Sequence, residues 1–89
     1  MVYMIIETFH PEKVKELYKR FAEKGRQLPG GVSYISSWVN EEVTMCYQVM
    51  ESDSRAKINE WISCWMDLVD FEIVPVITSA QAKEKVENI

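Results

Sequence analysis

The distribution of hydrophobic and polar residues along the first third of the chain predicts one strand followed by one helix. The run from Val2 to Phe9 is apolar on both parities, which is typical of a strand covered on both faces. Apolar residues then recur every three or four positions from Val14 to Phe21, which indicates an amphipathic helix. Pro11 is favoured at the first position of that helix, and Gly25 is suited to its end.

The middle of the chain predicts a β-hairpin. Two β-rich runs, Val32 to Asn40 and Val43 to Met50, are separated only by Glu41 and Glu42. If those two acids form the loop, Asn40 faces Val43, and alternation along the strands assigns each side chain to one face. One face then carries Tyr34, Ser36, Trp38, Met45, Tyr47 and Val49, and the other carries Ser33, Ile35, Ser37, Val39, Thr44, Cys46, Gln48 and Met50.

The last part of the chain repeats the alternation of helix and strand. The segment Glu51–Ser54 supplies N-cap residues for a second helix, in which apolar residues recur at helical spacing from Ile58 to Leu68 or Val69. Phe71 to Thr78 reads as a fourth strand, and Pro75 within it predicts a sheet edge because proline cannot donate to an interior ladder. A capping Ser79 then opens a short helix or arm that extends to Ile89.

The resulting order β-α-β-β-α-β predicts a ferredoxin-like α+β fold with an antiparallel sheet in the order 4-1-3-2 and both long helices on one face. Eighty-nine residues form one domain, with residues 1–78 as its core and residues 79–89 as a C-terminal helix or arm. Since the first and fourth strands are apolar on both parities, the face without helices also needs a cover. We therefore expect a homodimer formed through the sheet face.

Composition and charge exclude several classes of partner. A net charge of −4 is opposite in sign to what phosphate binding requires, so we expect no nucleic acid. No apolar run reaches the roughly 20 residues that span a bilayer, and no signal peptide is recognisable, so we expect no membrane association and a cytoplasmic location. Cys46 and Cys64 lack the spacing of a metal site or a disulfide framework, and no motif calls for a cofactor.

The whole order of elements resembles the dimeric α/β-barrel branch of the ferredoxin-like folds, in which two sheets pack face to face. More narrowly, the segments 3–7, 37–39 and 70–80, which read YMIIE, SWV and DFEIVPVITSA, are similar to a family of short prokaryotic proteins of unknown function. That resemblance transfers no catalytic residue. The wider superfamily contains cofactor-independent monooxygenases, haem-degrading enzymes, muconolactone-type isomerases and ligand-sensing regulator domains, so the resemblance implies architecture more than activity.

His10 is the only histidine and the first candidate for proton transfer. The predicted strand order brings it towards Asp70 or Glu72 at one rim, to which the second helix adds Asp67, and a histidine held by a carboxylate is a common general base. The alternative is that His10 is a helix-entry residue in a solvated charge cluster. The same four side chains offer oxygen and nitrogen atoms to a divalent metal, but their spacing matches no known signature and we predict no metal.

Aromatic side chains suggest a binding pocket between the sheet and the helices. Its predicted substrate-binding residues are Tyr34, Trp38, Tyr47 and Gln48, with Trp61 and Trp65 on the helix stripe and Ser36 and Asn40 as further polar groups. Ordinary core packing explains the same rings. Cys46 has no adjacent base and is expected to be an inert thiol, while Arg26 beside the loop at residues 29–31 is a weak anion-site candidate at the opposite rim.

Two functions from different classes remain open. The first is a homodimeric module that binds a small-molecule ligand or another protein, and it is the preferred interpretation. The alternative is an enzyme similar to the cofactor-independent monooxygenases or isomerases, acting on a small apolar or aromatic substrate with His10 as its base. A cavity lined by Tyr34, Trp38, Tyr47 and Gln48, reached from solvent and holding a ligand, would favour the enzyme-like small-molecule site, whereas a solid core there would favour the non-catalytic module.

Overall fold

The computed structural model describes residues 1–89 and contains a four-stranded antiparallel sheet with helices. The strands are β1 (Val2–Phe9), β2 (Val32–Val39), β3 (Met45–Ser52) and β4 (Val69–Val76), and the helices are α1 (Val14–Lys24), α2 (Arg55–Ser63) and α3 (Ser79–Glu87). A 3₁₀ turn, Pro11–Lys13, leads into α1. The strand order is β2-β3-β1-β4, which is the predicted order read from the other edge, so the ferredoxin-like fold is confirmed. None of the helices combines the length and apolar character needed to cross a bilayer.

β1 lies at the centre of the sheet and β4 at one edge. β1 pairs with β3 on one side and with β4 on the other, and Pro75 lies opposite Tyr3. The edge position leaves one side of β4 without a ladder, so a residue without an amide proton is tolerated there. The strand begins at Val69, two residues earlier than the sequence pattern predicts.

The alternation of side chains along β1 distinguishes the two faces of the sheet. Tyr3, Ile5, Glu7 and Phe9 are buried, whereas the residues between them are half-buried or exposed. The buried parity faces α1 and α2, where Leu17, Ile58 and Trp61 join the same core. The opposite face of the sheet carries no helix, as predicted, and which parity of β1 would meet the helices could not be read from a strand that is apolar on both.

The connection between β2 and β3 is longer than the two-residue loop that the sequence suggests. Val39 lies opposite Cys46 and Trp38 opposite Tyr47, so the predicted pairing of Asn40 with Val43 is wrong by two positions. The Asn40 side chain explains the longer loop, because its Oδ1 accepts hydrogen bonds from the backbone amides of Thr44 and Met45 at 2.9 and 2.8 Å. An asparagine that bonds its neighbouring backbone in this way stabilises a turn.

A β-bulge in β2 moves one aromatic ring to the other face of the sheet. Tyr34 lies opposite Met50 and Ser36 opposite Val49, which leaves Ile35 as an extra residue without a partner. Because side chains point to alternate faces along a strand, one extra residue moves the side chains of all preceding residues to the opposite face of the sheet. Tyr34 is therefore on the side of the helices, and its predicted place on the face of Trp38 is wrong.

The C-terminal helix α3 is stabilised mainly by its own first turn. Thr78, rather than the predicted Ser79, is the N-cap, and its hydroxyl accepts a hydrogen bond from the Gln81 amide while the Gln81 side chain accepts one from the Thr78 amide. This reciprocal capping box satisfies two amides that a helix start leaves free. No residue of α3 is buried, and Val86 remains 67% exposed.

Candidate functional site

A cavity lies between the sheet and the two long helices, with its mouth beside three exposed residues, Tyr18, Phe21 and Val39. Its volume is about 200 Å³. An apolar cavity of about 150 Å³ is already large enough for benzene. The wall is mostly apolar and aromatic and is formed by Glu7, Phe9, Leu17, Tyr18, Phe21, Arg26, Ser37, Val39, Cys46, Gln48, Trp61 and Trp65.

Glu7 is the buried acidic group of this cavity. It follows Tyr3 and Ile5 on the helix-facing parity of β1 and is only 5% exposed. Its Oε2 accepts a hydrogen bond from Nε2 of Gln48, while its Oε1 has no hydrogen-bond partner within the chain. Because every fully buried side-chain oxygen and nitrogen of the protein is hydrogen-bonded, the unpaired Oε1 is an atom that the cavity leaves accessible.

Burial shifts the ionisation of Glu7 into the neutral range. Removal from water raises the pKa of its carboxyl from 4.5 to about 7, and the Gln48 hydrogen bond and the charge of Arg26 offset only part of that rise. A group with such a pKa exchanges its proton near neutral pH, which is a property more common at functional sites than elsewhere.

Arg26 forms the polar wall beside Glu7 and Gln48. Its Nε donates to Gln48 Oε1 and its Nη2 to Ser37 Oγ, both at 3.2 Å. The guanidinium also lies over the ring of Tyr34, which the bulge has brought to this side of the sheet. The arginine is therefore held by hydrogen bonds and by cation–π stacking at once.

The backbone of Arg26 is as important to the site as its side chain. Its carbonyl oxygen accepts hydrogen bonds from the indole nitrogens of Trp61 and Trp65, at 2.8 and 3.1 Å. Two buried tryptophans of the α2 region therefore find their polar partner in the segment that joins α1 to β2. This places Arg26 in the wall of the cavity, although the sequence pattern suggested a rim near the start of the second helix.

The hydrogen bond from Arg26 also determines how the Gln48 amide is oriented. An arginine nitrogen can only donate, so it requires the oxygen of Gln48 to point towards it. The amide nitrogen of Gln48 is then directed at Glu7, where it donates to the carboxylate. In the chain of contacts from Arg26 through Gln48 to Glu7, each residue donates a hydrogen bond to the next, and the last bond ends at Oε2 of Glu7, which leaves Oε1 without a partner at the cavity.

Cys46 lines the cavity as a protonated thiol. Burial raises its pKa from 9.0 to about 12, and the nearby Glu7 carboxylate raises it further, while the Arg26 charge lowers it. Only the thiolate is a nucleophile, so Cys46 is unreactive at neutral pH. Glu7 lies opposite Cys46 in the sheet, so the expectation that Cys46 has no adjacent base is wrong, but the carboxylate raises the pKa of the thiol rather than lowering it.

His10 and its acidic neighbours lie outside the cavity. Nε2 of His10 is 3.0 Å from Oδ1 of Asp70, the approach that the strand order predicts. Asp67 instead makes a two-pronged ion pair with Arg20, at 2.7 and 2.8 Å, and this contact lowers the pKa of Asp67. Glu72 is exposed on the face without helices, and the structure holds no group of three or more His, Cys, Asp or Glu side chains arranged for a metal ion.

The structure divides the predicted substrate-binding residues between the two sides of the sheet. Gln48 lines the cavity and Tyr34 supports Arg26 beside it. Trp38 and Tyr47 are opposite one another on the face without helices, and Trp38 is 71% exposed. The cavity residues that the sequence analysis did not single out as site residues include Glu7, Tyr18 and Phe21. A lone acid on the same parity as Tyr3, Ile5 and Phe9 was the available indication of a buried Glu7.

With the geometry established, the comparisons identify the family. A model described as Domain of unknown function (DUF3303) matches residues 1–89. The chain belongs to this family. The comparison with curated proteins found no match. The family description assigns no activity to its members.

Two solved structures of similar overall shape accompany the family match. A proposed antibiotic biosynthesis monooxygenase from Deinococcus radiodurans is 12% identical over 89% of this chain and 95% of its own, with a TM-score of 0.47. A second proposed monooxygenase of the same kind, from Chloroflexus aurantiacus J-10-fl, is 18% identical over 88% of this chain and 96% of its own, with a TM-score of 0.44. Neither similarity is close enough to assign a reaction to this chain.

Proposed function

We propose that this protein is a small-molecule-binding module whose ligand occupies the cavity between the sheet and the helices. The observation that carries the proposal is an open cavity of about 200 Å³ with aromatic walls and one buried, partly unpaired carboxyl group. Sites of this kind, mostly apolar with a few placed polar atoms, are typical of small-molecule recognition. The volume suits a planar molecule of one ring or two fused rings.

A substitution that blocks the mouth of the cavity tests the proposal. Val39 lines the mouth and is 42% exposed, so Val39→Trp adds bulk at the entrance without overpacking the core. Ile35→Trp is the matched control, because Ile35 is a residue of the same strand that is also exposed and does not line the cavity. With indene as the probe, we expect calorimetric binding to the wild type and to Ile35→Trp, and at least about tenfold weaker binding to Val39→Trp. Absence of indene binding to the wild type, or equal binding to all three, would contradict the proposal.

A second candidate function is an isomerase-like proton transfer, and the near-neutral pKa of Glu7 favours it over chemistry at His10. In such a step the Glu7 carboxylate takes a proton from the carbon beside a ketone: the C–H bond breaks, an O–H bond forms, and the electron pair moves to the ketone oxygen as an enolate. Return of the proton completes the exchange. Exchange of the α-protons of 1-indanone in D₂O, followed by NMR and lost in Glu7→Gln, would support this candidate. An unchanged exchange rate would remove it.

For assembly, we propose that a second copy covers the face without helices. This face spans four strands of eight residues, roughly 20 by 25 Å at ordinary strand spacing. Its apolar side chains are Val2, Met4, Ile6, Trp38, Met45, Tyr47, Val49, Val74 and Val76. An apolar patch of several hundred Å² is a common mark of an interface, and two copies related by a twofold axis would bury it on both. Light scattering should give twice the chain mass of 10.4 kDa, and a mass of one chain at micromolar concentration would contradict the dimer.

A further inference from the structure

We infer that the cavity selects ligands whose ring edge carries a hydrogen-bond donor, an N–H or O–H, and that Oε1 of Glu7 is the acceptor that recognises it. The inference deepens the proposed binding function and depends on the cavity being a binding site. The chemical class is a neutral planar molecule of one ring or two fused rings with a single donor at its edge, such as a pyrrole-type N–H.

The first support is that Oε1 of Glu7 is the oxygen without a hydrogen-bond partner in a deeply buried carboxyl group. Glu7 is only 5% exposed, yet of its two carboxyl oxygens only Oε2 has a hydrogen-bond partner, Nε2 of Gln48. Oε1 is accessible only through the cavity, so a ligand that fills the cavity without supplying a donor would leave this acceptor unpaired, which is unfavourable. A ligand that supplies a donor at this position therefore gains affinity that a purely apolar ligand does not.

The second support is that most of the polar groups around Glu7 are already hydrogen-bonded to one another. Nε and Nη2 of Arg26 are used by Gln48 and Ser37, and the Ser37 hydroxyl also bonds to that of Tyr34 at 2.8 Å. Both tryptophan indole nitrogens are bonded to the Arg26 carbonyl. Besides the Tyr18 hydroxyl at the exposed mouth and the Nη1 donor of Arg26, Oε1 of Glu7 is the unpaired polar atom of the wall, and it is the buried one that can accept.

The third support is the direction of the hydrogen bonds between Arg26, Gln48 and Glu7. Arg26 fixes the Gln48 amide so that its nitrogen faces position 7. In a Glu7→Gln variant, the Gln48 donor would require the new amide to turn its oxygen towards Gln48 and its nitrogen towards the cavity. The substitution therefore converts the exposed atom from an acceptor into a donor while it keeps nearly the same size.

The change of this atom from an acceptor to a donor provides a test, because a merely structural role for Glu7 would not reverse the preference for donor or acceptor ligands. Three probes of similar shape are used: indole, which offers an N–H donor; 1-indanone, which offers a carbonyl acceptor; and indene, which offers neither. Affinities are measured by calorimetry at pH 8 for the wild type and Glu7→Gln. We expect indole to bind Glu7→Gln about tenfold or more weakly, 1-indanone to bind it more tightly than the wild type, and indene to bind both equally. Glu72→Gln, an exposed acid on the other face, is the control and should change none of the three affinities.

A pH series on the unmodified protein provides a second measurement that does not depend on the variant. The charged and titratable groups facing Glu7 are Arg26 from the loop after α1, Tyr18 from α1 and Cys46 from β3. α2 and the turn after it contribute only Trp61 and Trp65 to the wall, and β4 places Phe71 opposite Glu7. Cys46 has its pKa raised to about 12, burial raises the pKa of Tyr18 above 10.0, and arginine stays charged, so none of them titrates between pH 6 and 8. Glu7 loses its proton over this range, and indole affinity should rise about tenfold while indene affinity stays constant.

The outcomes separate this inference from the function on which it rests. If no probe binds the wild type, the cavity is not a binding site and both are wrong. If indene and indole bind but neither the Glu7→Gln variant nor pH distinguishes them, the cavity binds ligands and the role of Glu7 is wrong. Reversal of the preference between indole and 1-indanone in Glu7→Gln supports the inference.

Discussion

The guanidinium carbon of Arg26 lies 3.7 Å from the centre of the Tyr34 ring, and this contact joins the segment after α1 to the bulged strand β2. The side chain of the same arginine also holds Gln48 and Ser37. The wall of the cavity is consequently built around one arginine and one irregularity of the sheet.

Arg26→Lys should destabilise the protein although it keeps the charge. Lysine cannot reproduce the two donors of the guanidinium fork or its flat stacking on Tyr34, so we expect unfolding free energy to fall by about 1–2 kcal/mol in urea titrations. Arg55→Lys is the control, since Arg55 lies 5.8 Å from the Tyr3 ring and is exposed; it should change stability by less than about 0.5 kcal/mol. Equal effects of the two substitutions would argue against the special role of Arg26.

Glu7→Gln should remove a pH dependence of folding. The pKa of Glu7 is about 7 in the folded protein and 4.5 ordinarily, so the folded state holds this proton more tightly. The contribution of Glu7 to stability is then fully present below pH 4.5 and is lost as the pH rises to about 7, by up to about 3 kcal/mol. Relative to the wild type, Glu7→Gln should become more stable with rising pH over this window. Parallel urea curves for the two proteins at every pH would show that Glu7 is not so perturbed.

Trp38→Glu should weaken the proposed dimer while the monomer remains folded. The Trp38 ring is 71% exposed on the face without helices, so its replacement removes apolar area from the proposed interface without opening the core. Light scattering should show the mass shift from two chains towards one, with circular dichroism unchanged. The proposal fails if the wild type and the variant have the same mass at every concentration.

His10→Ala should leave indole binding unaffected. His10 bonds to the exposed Asp70 at the rim and does not line the cavity. An exposed pair of this kind contributes at most about 1 kcal/mol, so the variant should also stay folded. A tenfold loss of affinity measured by calorimetry would restore His10 as a functional residue.

Cys46 should resist alkylation in the folded protein. With a pKa of about 12, roughly one thiol in ten thousand is ionised at pH 8, and the side chain is buried. Mass spectrometry after iodoacetamide treatment should find Cys46 unmodified under native conditions and modified in urea. Rapid native modification would indicate that the cavity wall opens readily.

The amino-acid sequence by itself determined the order of the elements, the strand order and the open face of the sheet. Strand and helix periods are local properties, and Pro75 marked the edge strand without any knowledge of its neighbours. The approach of His10 to Asp70 also followed from strand order alone.

Only the tertiary structure decided which residues form the cavity. Arg26 and Gln48 are 22 residues apart along the chain, and Glu7 and Gln48 are 41 apart, so no local period links them. Because β1 is apolar on both parities, the side of Glu7 depends on where the helices pack. One extra residue at Ile35 then reverses the side of Tyr34, since side-chain direction alternates with every residue along a strand.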